Sequence, residues 1–220
     1  MFKSLTLCSM LFFSLSAFAL DHQNSDLDIA KITLHDLGEV DDGSSFVERN
    51  YVEEKSLGEV IVIVDQLIAL GKKVWPIVEA GRPVSNVKLG TISVLPATQG
   101  VELEGWSAPR NRKYRLVYEN VYGWDVITFE FTVHYQYGGH NNGVGKYLDA
   151  VTVTANFVDV TWGFDFSAQT RLVKVTNRGT RANPVAGVTL EVSQIAKTVV
   201  SDMKSTSTFH ISGDGKFRKF

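Results

Sequence analysis

Apolar and polar residues alternate along much of this 220-residue chain, and the longest regular example covers residues 126–137. The apolar residues occupy every second position there, and they are Ile127, Phe129, Phe131, Val133, Tyr135 and Tyr137. A period of two predicts a strand with one buried face in an antiparallel sheet. Similar patterns predict further strands at residues 88–94, 112–119, 172–176, 185–195 and 205–211.

Residues 147–166 also alternate, but their apolar positions change parity between Phe157 and Val158. A β-bulge produces such a change, because one extra residue re-aims every later side chain. The preceding residues 138–145 contain four glycines. Because a strand rather than a helix follows them, they predict a mobile hairpin loop and not a phosphate-binding loop. Seven or eight strands without alternating helices predict an antiparallel β-sandwich, with a flattened β-barrel as the alternative.

A helix-like pattern precedes these strands, with apolar residues spaced three and four apart between residues 57 and 70. Ser56 and Glu59 have the spacing of a capping box, and Pro76 is suited to end a helix near Val74. Residues 60–64 are rich in β-branched side chains and are also compatible with a strand. The cap and the apolar stripe favour one long amphipathic helix packed against the sandwich. The predicted fold class is therefore mainly β with one long helix.

The first nineteen residues have the features of a signal peptide. Lys3 supplies the positive charge, residues 5–17 are mostly apolar, and Ala17 and Ala19 form a small-x-small cleavage site. We expect cleavage after Ala19 and export to the periplasm or the medium. The sole cysteine, Cys8, lies inside this segment, so the mature chain is expected to have no disulfide and no thiol chemistry. No later apolar run is long enough to predict a transmembrane helix.

Charge divides the mature chain into an acidic arm, residues 20–55, and a single domain, residues 56–220. The arm carries ten acidic and three basic residues, whereas the domain carries fourteen acidic and eighteen basic ones. The small basic excess of the domain is too weak to predict a nucleic-acid partner. Residues 41–45 indicate a turn or linker, and we expect the arm to be partly ordered at best. A solvated tail is its simplest interpretation, and folding back on a basic face or acting as a detachable pro-segment are the alternatives.

Catalytic and metal-binding motifs do not stand out in the sequence. The five histidines include no pair with metal-ligand spacing, no Gly-x-Ser-x-Gly motif occurs, and no cofactor is implied. Asp149, Asp159 and Asp165 share a strand region, but any strand with a solvent face offers such carboxylates. We therefore expect a protein that is not an enzyme.

Aromatic and basic residues are concentrated between residues 105 and 124, and they form the candidate binding site. Tryptophan beside cations suits sugar stacking, cation–π contacts and lipid headgroups. The alternative is that both tryptophans plug the ends of the sandwich. The candidate binding residues are Trp106, Arg110, Arg112, Lys113, Arg115, Tyr122 and Trp124.

Two functional classes fit these features. The first is an exported, non-catalytic binding or interaction protein of the bacterial envelope or extracellular space, because sandwiches present recognition loops at their ends. Its partner would be a glycan, a lipid headgroup or a protein. The second is a membrane-active, pore-forming protein, because a helix ahead of an aromatic-rich sandwich resembles the order of elements in actinoporin-type cytolysins. The predicted helix carries few cations, which favours the first class.

Overall fold

The described part of the chain is built from strands. The computed structural model describes residues 26–40, 60–84, 90–98, 102–199 and 201–220, and no helix occurs within these ranges. In chain order the strands are β1 Ile29–Glu39, β2 Val60–Val64, β3 Leu67–Leu70, β4 Val74–Glu79, β5 Arg82–Pro83, β6 Ile92–Pro96, β7 Arg110–Asn120, β8 Asp125–Asn141, β9 Val144–Val160, β10 Asp165–Asn177, β11 Ala186–Lys197, β12 Asp202–Ser212 and β13 Phe217–Lys219.

These strands form two antiparallel sheets. The first sheet has seven strands in the order β1-β7-β8-β9-β6-β3-β2, and the second has six in the order β13-β12-β11-β10-β4-β5. Every neighbouring pair within both sheets is antiparallel. The mainly β, antiparallel architecture predicted from the alternation is therefore confirmed.

One apolar core lies between the two sheets, and aromatic rings dominate it. Tyr114 of the first sheet lies 4.9 Å from Phe209 of the second, measured between ring centroids, and Phe129 lies 5.3 Å from Phe166 in the same way. All four rings are fully buried. Because large aromatic side chains bury the most area per residue, this layer joins the sheets into one sandwich-like body.

The helix predicted from Ser56 to near Val74 is wrong wherever the structure describes it. Residues 60–64 form β2 and residues 67–70 form β3, and the two pair as an antiparallel hairpin. Asp65, at the turn, has a left-handed backbone with a φ of 53°. Ser56 and Glu59, the residues of the predicted capping box, lie outside the described residues.

Side-chain branching and a neighbouring strand explain why this segment is extended. Val60 to Val64 are all β-branched, and such side chains lose less freedom on a pleated strand than in a helix. Strand β6 pairs with β3 on its other side, and Leu67 and Ala69 of β3 are fully buried there. The spacing of the apolar residues between 60 and 70 fits the stripe of a helix, and it also fits the alternating faces of β2 and β3.

The bulge predicted within residues 147–166 is confirmed. Glu130 of β8 is paired with Phe157, and Phe131 is paired with Ala155, which leaves Asn156 as the extra residue of β9. The bulge turns Phe157 outward, so that 49% of its surface is exposed. The strand does not continue to residue 166, however, because β9 ends at residue 160 and a turn precedes β10.

The glycine-rich loop predicted at residues 138–145 is shorter than expected. Strand β8 continues to Asn141 and β9 begins at Val144, so only Asn142 and Gly143 form the turn. Their φ values of 49° and 77° place both residues in the left-handed backbone region, as in a two-residue type I′ hairpin turn. Of the strand predicted at residues 88–94, residues 92–94 belong to β6, whereas the described residues 90 and 91 precede that strand.

Strand β1 comes from the acidic arm and pairs with β7 along its length. The described part of the arm therefore lies against a strand rich in basic residues. This arrangement agrees with the alternative that the arm folds back on a basic face, and not with a solvated tail. The signal peptide with its cleavage site and the linker at residues 41–45 lie outside the described residues. In the ranges that are described, no helix has the length and apolarity needed to cross a membrane.

Candidate functional site

Two arginines of the candidate binding site pair with carboxylates of β1. Arg110 Nη1 lies 2.6 Å from Glu39 Oε2, and Arg112 Nη2 lies 2.7 Å from Asp36 Oδ2. Burial raises the pKa of the Asp36 carboxyl, but hydrogen bonds from Arg112 and from the Gly38 N–H, together with the arginine charge, hold this pKa below its ordinary value. Both arginine charges are thus balanced by the neighbouring strand.

The other two cations of β7 share one carboxylate on the outer face of the first sheet. Lys113 Nζ lies 2.6 Å from Glu130 Oε2, and Arg115 Nη2 lies 2.6 Å from Glu130 Oε1. Only 8% of the surface of Glu130 is exposed. Burial raises the pKa of the Glu130 carboxyl, but the hydrogen bonds and charges of the two cations outweigh burial, and the pKa lies below its ordinary value.

Arg115 and Glu130 line a shallow groove of about 560 Å³ on the outer face of the sheet. Leu37 and Phe157 add partly exposed apolar lining to the groove. Each of the four cations of β7 therefore has a carboxylate partner within the sheet. Their predicted role in binding stays a prediction, and their contacts indicate that they also stabilise the pairing of β1, β7 and β8.

Tyr122 and Trp124 lie together in the turn between β7 and β8. The side-chain oxygen of buried Asn120 accepts hydrogen bonds from the backbone N–H groups of both residues, at 3.1 and 3.0 Å. This bonding holds the turn, and the two rings are 5.7 Å apart between centroids. Tyr122 is 44% exposed and Trp124 is 65% exposed. The turn thus displays an aromatic pair that the core does not use.

Trp106 lies at the opposite end of the first sheet. Its ring covers Gly139, where a Cβ atom would overlap the indole, and it packs against the core. The N–H of the next residue, Ser107, donates to the Tyr137 carbonyl at 2.8 Å. Some fourteen residues of β8 separate this point from the Trp124 turn, which at the rise of a strand is roughly 40 Å. Trp106 and Trp124 therefore do not belong to one surface.

A residue that the sequence analysis did not select, Trp162, is 93% exposed. The alternation of residues 147–166 predicts it on a strand, whereas it lies in the turn between β9 and β10. The N–H of Thr161 donates to the Val126 carbonyl at 2.9 Å, which places this turn beside the turn that carries Trp124. The next residue, Gly163, has a φ of 91°, and a glycine at this position is the local sequence feature that indicates a turn.

A third turn, between β11 and β12, lies at the same end of the sandwich. Asp165, the first residue of β10, is paired with Lys197, the last residue of β11. Val199 follows in the turn and is 84% exposed. We name these exposed side chains the tip surface, which comprises Val121, Tyr122, Trp124, Trp162 and Val199.

Side chains that could bind a metal ion are not grouped in the described residues. These residues contain no set of three or more His, Cys, Asp or Glu side chains able to hold a metal ion. His134 is held between Asn111 Oδ1 at 2.8 Å and Thr154 Oγ1 at 2.7 Å, so both of its ring nitrogens are used within the sheet. The exposed apolar side chains of the tip surface, in contrast, have no evident role in holding the fold together.

Comparisons with protein-family models, with curated proteins and with solved structures found no match to this chain.

Proposed function

We propose that this protein is an exported, non-catalytic binding protein of the bacterial envelope or extracellular space, and that the tip surface is its binding site. The observation that supports the proposal is the position of five exposed apolar side chains in three neighbouring turns at one end of the sandwich. Isolated exposed apolar residues are ordinary on protein surfaces, whereas a group of them marks an interaction site.

The residue types strengthen this argument. Tryptophan and tyrosine are enriched among the residues that contribute most to binding, because each offers a large, rigid contact area. Trp162, at 93% exposed, contributes little to the core, so the fold gives no reason for its presence.

The membrane-active alternative depended on an amphipathic helix. This helix was expected from Ser56 to near Val74, and the described part of that segment forms β2, β3 and the start of β4. Exposed aromatic residues in turns can also contact a bilayer. Membrane binding is therefore kept as one arm of the experiment that tests the site.

The test compares residues 20–220 with the double variant Trp124→Ala/Trp162→Ala. Binding is measured to a glycan array, to phosphatidylcholine vesicles with and without phosphatidylglycerol, and to immobilised basic, acidic and neutral peptides. We expect the natural chain to bind at least one of these and the double variant to lose that binding. Its thermal unfolding should be unchanged.

The matched control is Phe220→Ala, which removes another aromatic side chain that is 74% exposed but lies away from the three turns. This control should bind as the natural chain does. If the double variant binds as well as the natural chain, the tip surface is not the binding site and the proposal is wrong. Dye release from the vesicles would support the membrane-active class instead.

A further inference from the structure

Carboxylates surround the tip surface. The N–H of Val121 donates to the Asp28 carbonyl at 3.2 Å, and the Asn120 amide donates to the Asp26 carbonyl at 3.2 Å, so both acidic residues lie beside the first turn. Two more carboxylates begin the strands that follow the aromatic turns. They belong to Asp125, next to Trp124, and to Asp165, three residues after Trp162.

These four carboxylates are exposed, and none is in an ion pair with another described residue. Lys197 and Arg82 lie at the same end of the sandwich. Lys197 is paired in register with Asp165, and its Nζ lies 3.9 Å from Asp202 Oδ2. Arg82 lines one groove with Trp162 and Asp165. The four exposed carboxylates outnumber these two cations. The tip surface therefore combines exposed aromatic rings with an excess of negative charge.

We propose that the tip surface docks a basic segment of a protein partner, an inference that rests on the binding role proposed above. Lysine and arginine side chains pack their cations on the faces of tryptophan and tyrosine rings. The same cations pair with carboxylates, and complementary charge speeds the encounter and selects the partner. Trp124 with Asp125, and Trp162 with Asp165, each supply both kinds of contact within one turn.

The position of the turns suits an extended segment rather than a single small group. Trp124 lies in a turn of the first sheet, and the turn with Trp162 crosses from the first sheet to the second. Val199 lies in a turn of the second sheet. Two packed sheets are about 10 Å apart. The tip surface thus spans the end of the sandwich, and a chain of several residues can cross it.

The same charges disfavour the two other partner classes. An anionic bilayer attracts basic residues and repels carboxylates, and Asp125 would enter the headgroup region together with Trp124. A neutral glycan could stack on the rings and donate hydroxyl hydrogen bonds to the carboxylates, but it would leave their negative charge unbalanced. A basic polypeptide is the partner that satisfies both features.

The experiment uses residues 20–220 and a 20-residue peptide of alternating lysine and glycine. The glutamate–glycine and serine–glycine peptides of equal length are the matched probes. Tryptophan fluorescence and surface plasmon resonance measure binding at low and high salt. We expect the lysine peptide alone to bind, with affinity reduced roughly tenfold by high salt, because salt screens exposed charges.

Two variants separate the contributions of charge and of aromatic rings. Asp125→Asn/Asp165→Asn should weaken binding of the lysine peptide at low salt by roughly tenfold, since each removed pair of exposed charges contributes a modest amount. Trp124→Ala/Trp162→Ala should abolish binding at both salt concentrations. The control Glu102→Gln removes an exposed carboxylate at the other end of the sandwich and should have no effect.

The outcomes distinguish this inference from the proposed function. Loss of vesicle or glycan binding in the tryptophan variant, with no binding of the lysine peptide, would overturn the inference and leave the tip surface as the binding site. Binding of the serine peptide as strong as that of the lysine peptide would also overturn it. Peptide binding that is unaffected by the tryptophan variant would refute both the inference and the proposed site.

Discussion

The guanidinium of Arg112 lies over the ring of Phe217, with its Cζ atom 5.1 Å from the ring centroid. Arg112 belongs to β7 of the first sheet, and Phe217 belongs to β13 at the edge of the second. The same guanidinium donates two hydrogen bonds to Asp36 of β1, at 2.7 and 3.3 Å. One side chain selected from the sequence as a binding residue thus connects three strands and both sheets.

Removing this arginine should weaken the sandwich. We expect Arg112→Ala to lower the free energy of unfolding by about 1–2 kcal/mol, through loss of the cation–π contact and of the pair with Asp36. Urea unfolding followed by circular dichroism measures the change. Arg110→Ala is the control, because its pair with Glu39 is exposed and its loss should leave stability almost unchanged. Equal losses in the two variants would contradict the role assigned to Phe217.

Glu130→Gln should destabilise the first sheet by about 1–3 kcal/mol, because Lys113 and Arg115 would lose the one carboxylate that both contact. The measurement is the midpoint of chemical unfolding at neutral pH. Glu119→Gln serves as the control, since its partner Lys31 is 61% exposed and surface pairs contribute little. If both variants lose the same stability, the buried ion pairs of Glu130 contribute no more to stability than the exposed pair of Glu119.

Stability should fall as the pH is lowered below about 4.5. The pKa values of Glu130 and Asp36 lie below their ordinary values. Burial raises the pKa of Asp214, but hydrogen bonds from the side chain and backbone of Lys216 and the charge of this lysine together outweigh burial and lower this pKa from 3.8 to about 2. A carboxyl with a lowered native pKa contributes stability that is complete above its unfolded pKa and is lost as the pH falls through the native one.

Unfolding midpoints measured from pH 7 to pH 2 test this expectation. The midpoint should be nearly constant between pH 7 and pH 5 and should decline below pH 4. In Asp214→Asn the decline between pH 3.8 and about 2 should be shallower, because that carboxyl no longer titrates. A decline confined to the range above pH 5 would point to histidines instead and would contradict the assignment.

The loss of stability on replacing each tryptophan by alanine should follow how deeply that tryptophan is buried. Trp75 is 2% exposed, and Trp75→Ala should cost about 3–5 kcal/mol. Trp106→Ala should also be destabilising, because the indole covers Gly139 and packs on the core. Trp162→Ala should leave the melting temperature almost unchanged. Thermal melts of the three variants check the order, and a large loss in Trp162→Ala would mean that the tip surface is structural.

The β2–β3 hairpin provides a test of the strand assignment. Leu67 is fully buried, and Leu67→Ala should cost about 2–5 kcal/mol. Ile63→Ala is the control on the same hairpin, since Ile63 is 64% exposed and its loss should have a small effect. A helix would place these residues four apart on one face and would predict similar losses. The ratio of the two losses, read from urea unfolding, therefore distinguishes the two structures.

The sequence by itself determined the local elements whose signal lies in consecutive residues. Alternation predicted β7 and β8, because the faces of a strand follow directly from a period of two. The change of parity near Phe157 predicted the bulge for the same reason. Asn120 and Gly123 are turn-forming residues, and they mark the turn that carries Tyr122 and Trp124.

Only the tertiary structure decided how these elements combine. The segment from residue 60 to residue 70 fits a helix stripe or a hairpin, and pairing with β6, distant in sequence, selected the hairpin. The cations of β7 form ion pairs with carboxylates of β1 and β8, and no local sequence pattern predicts these pairs. The strand order placed Trp162 beside Trp124 and left Trp106 at the far end, because the position of a turn depends on which strands pair rather than on the residues of the turn.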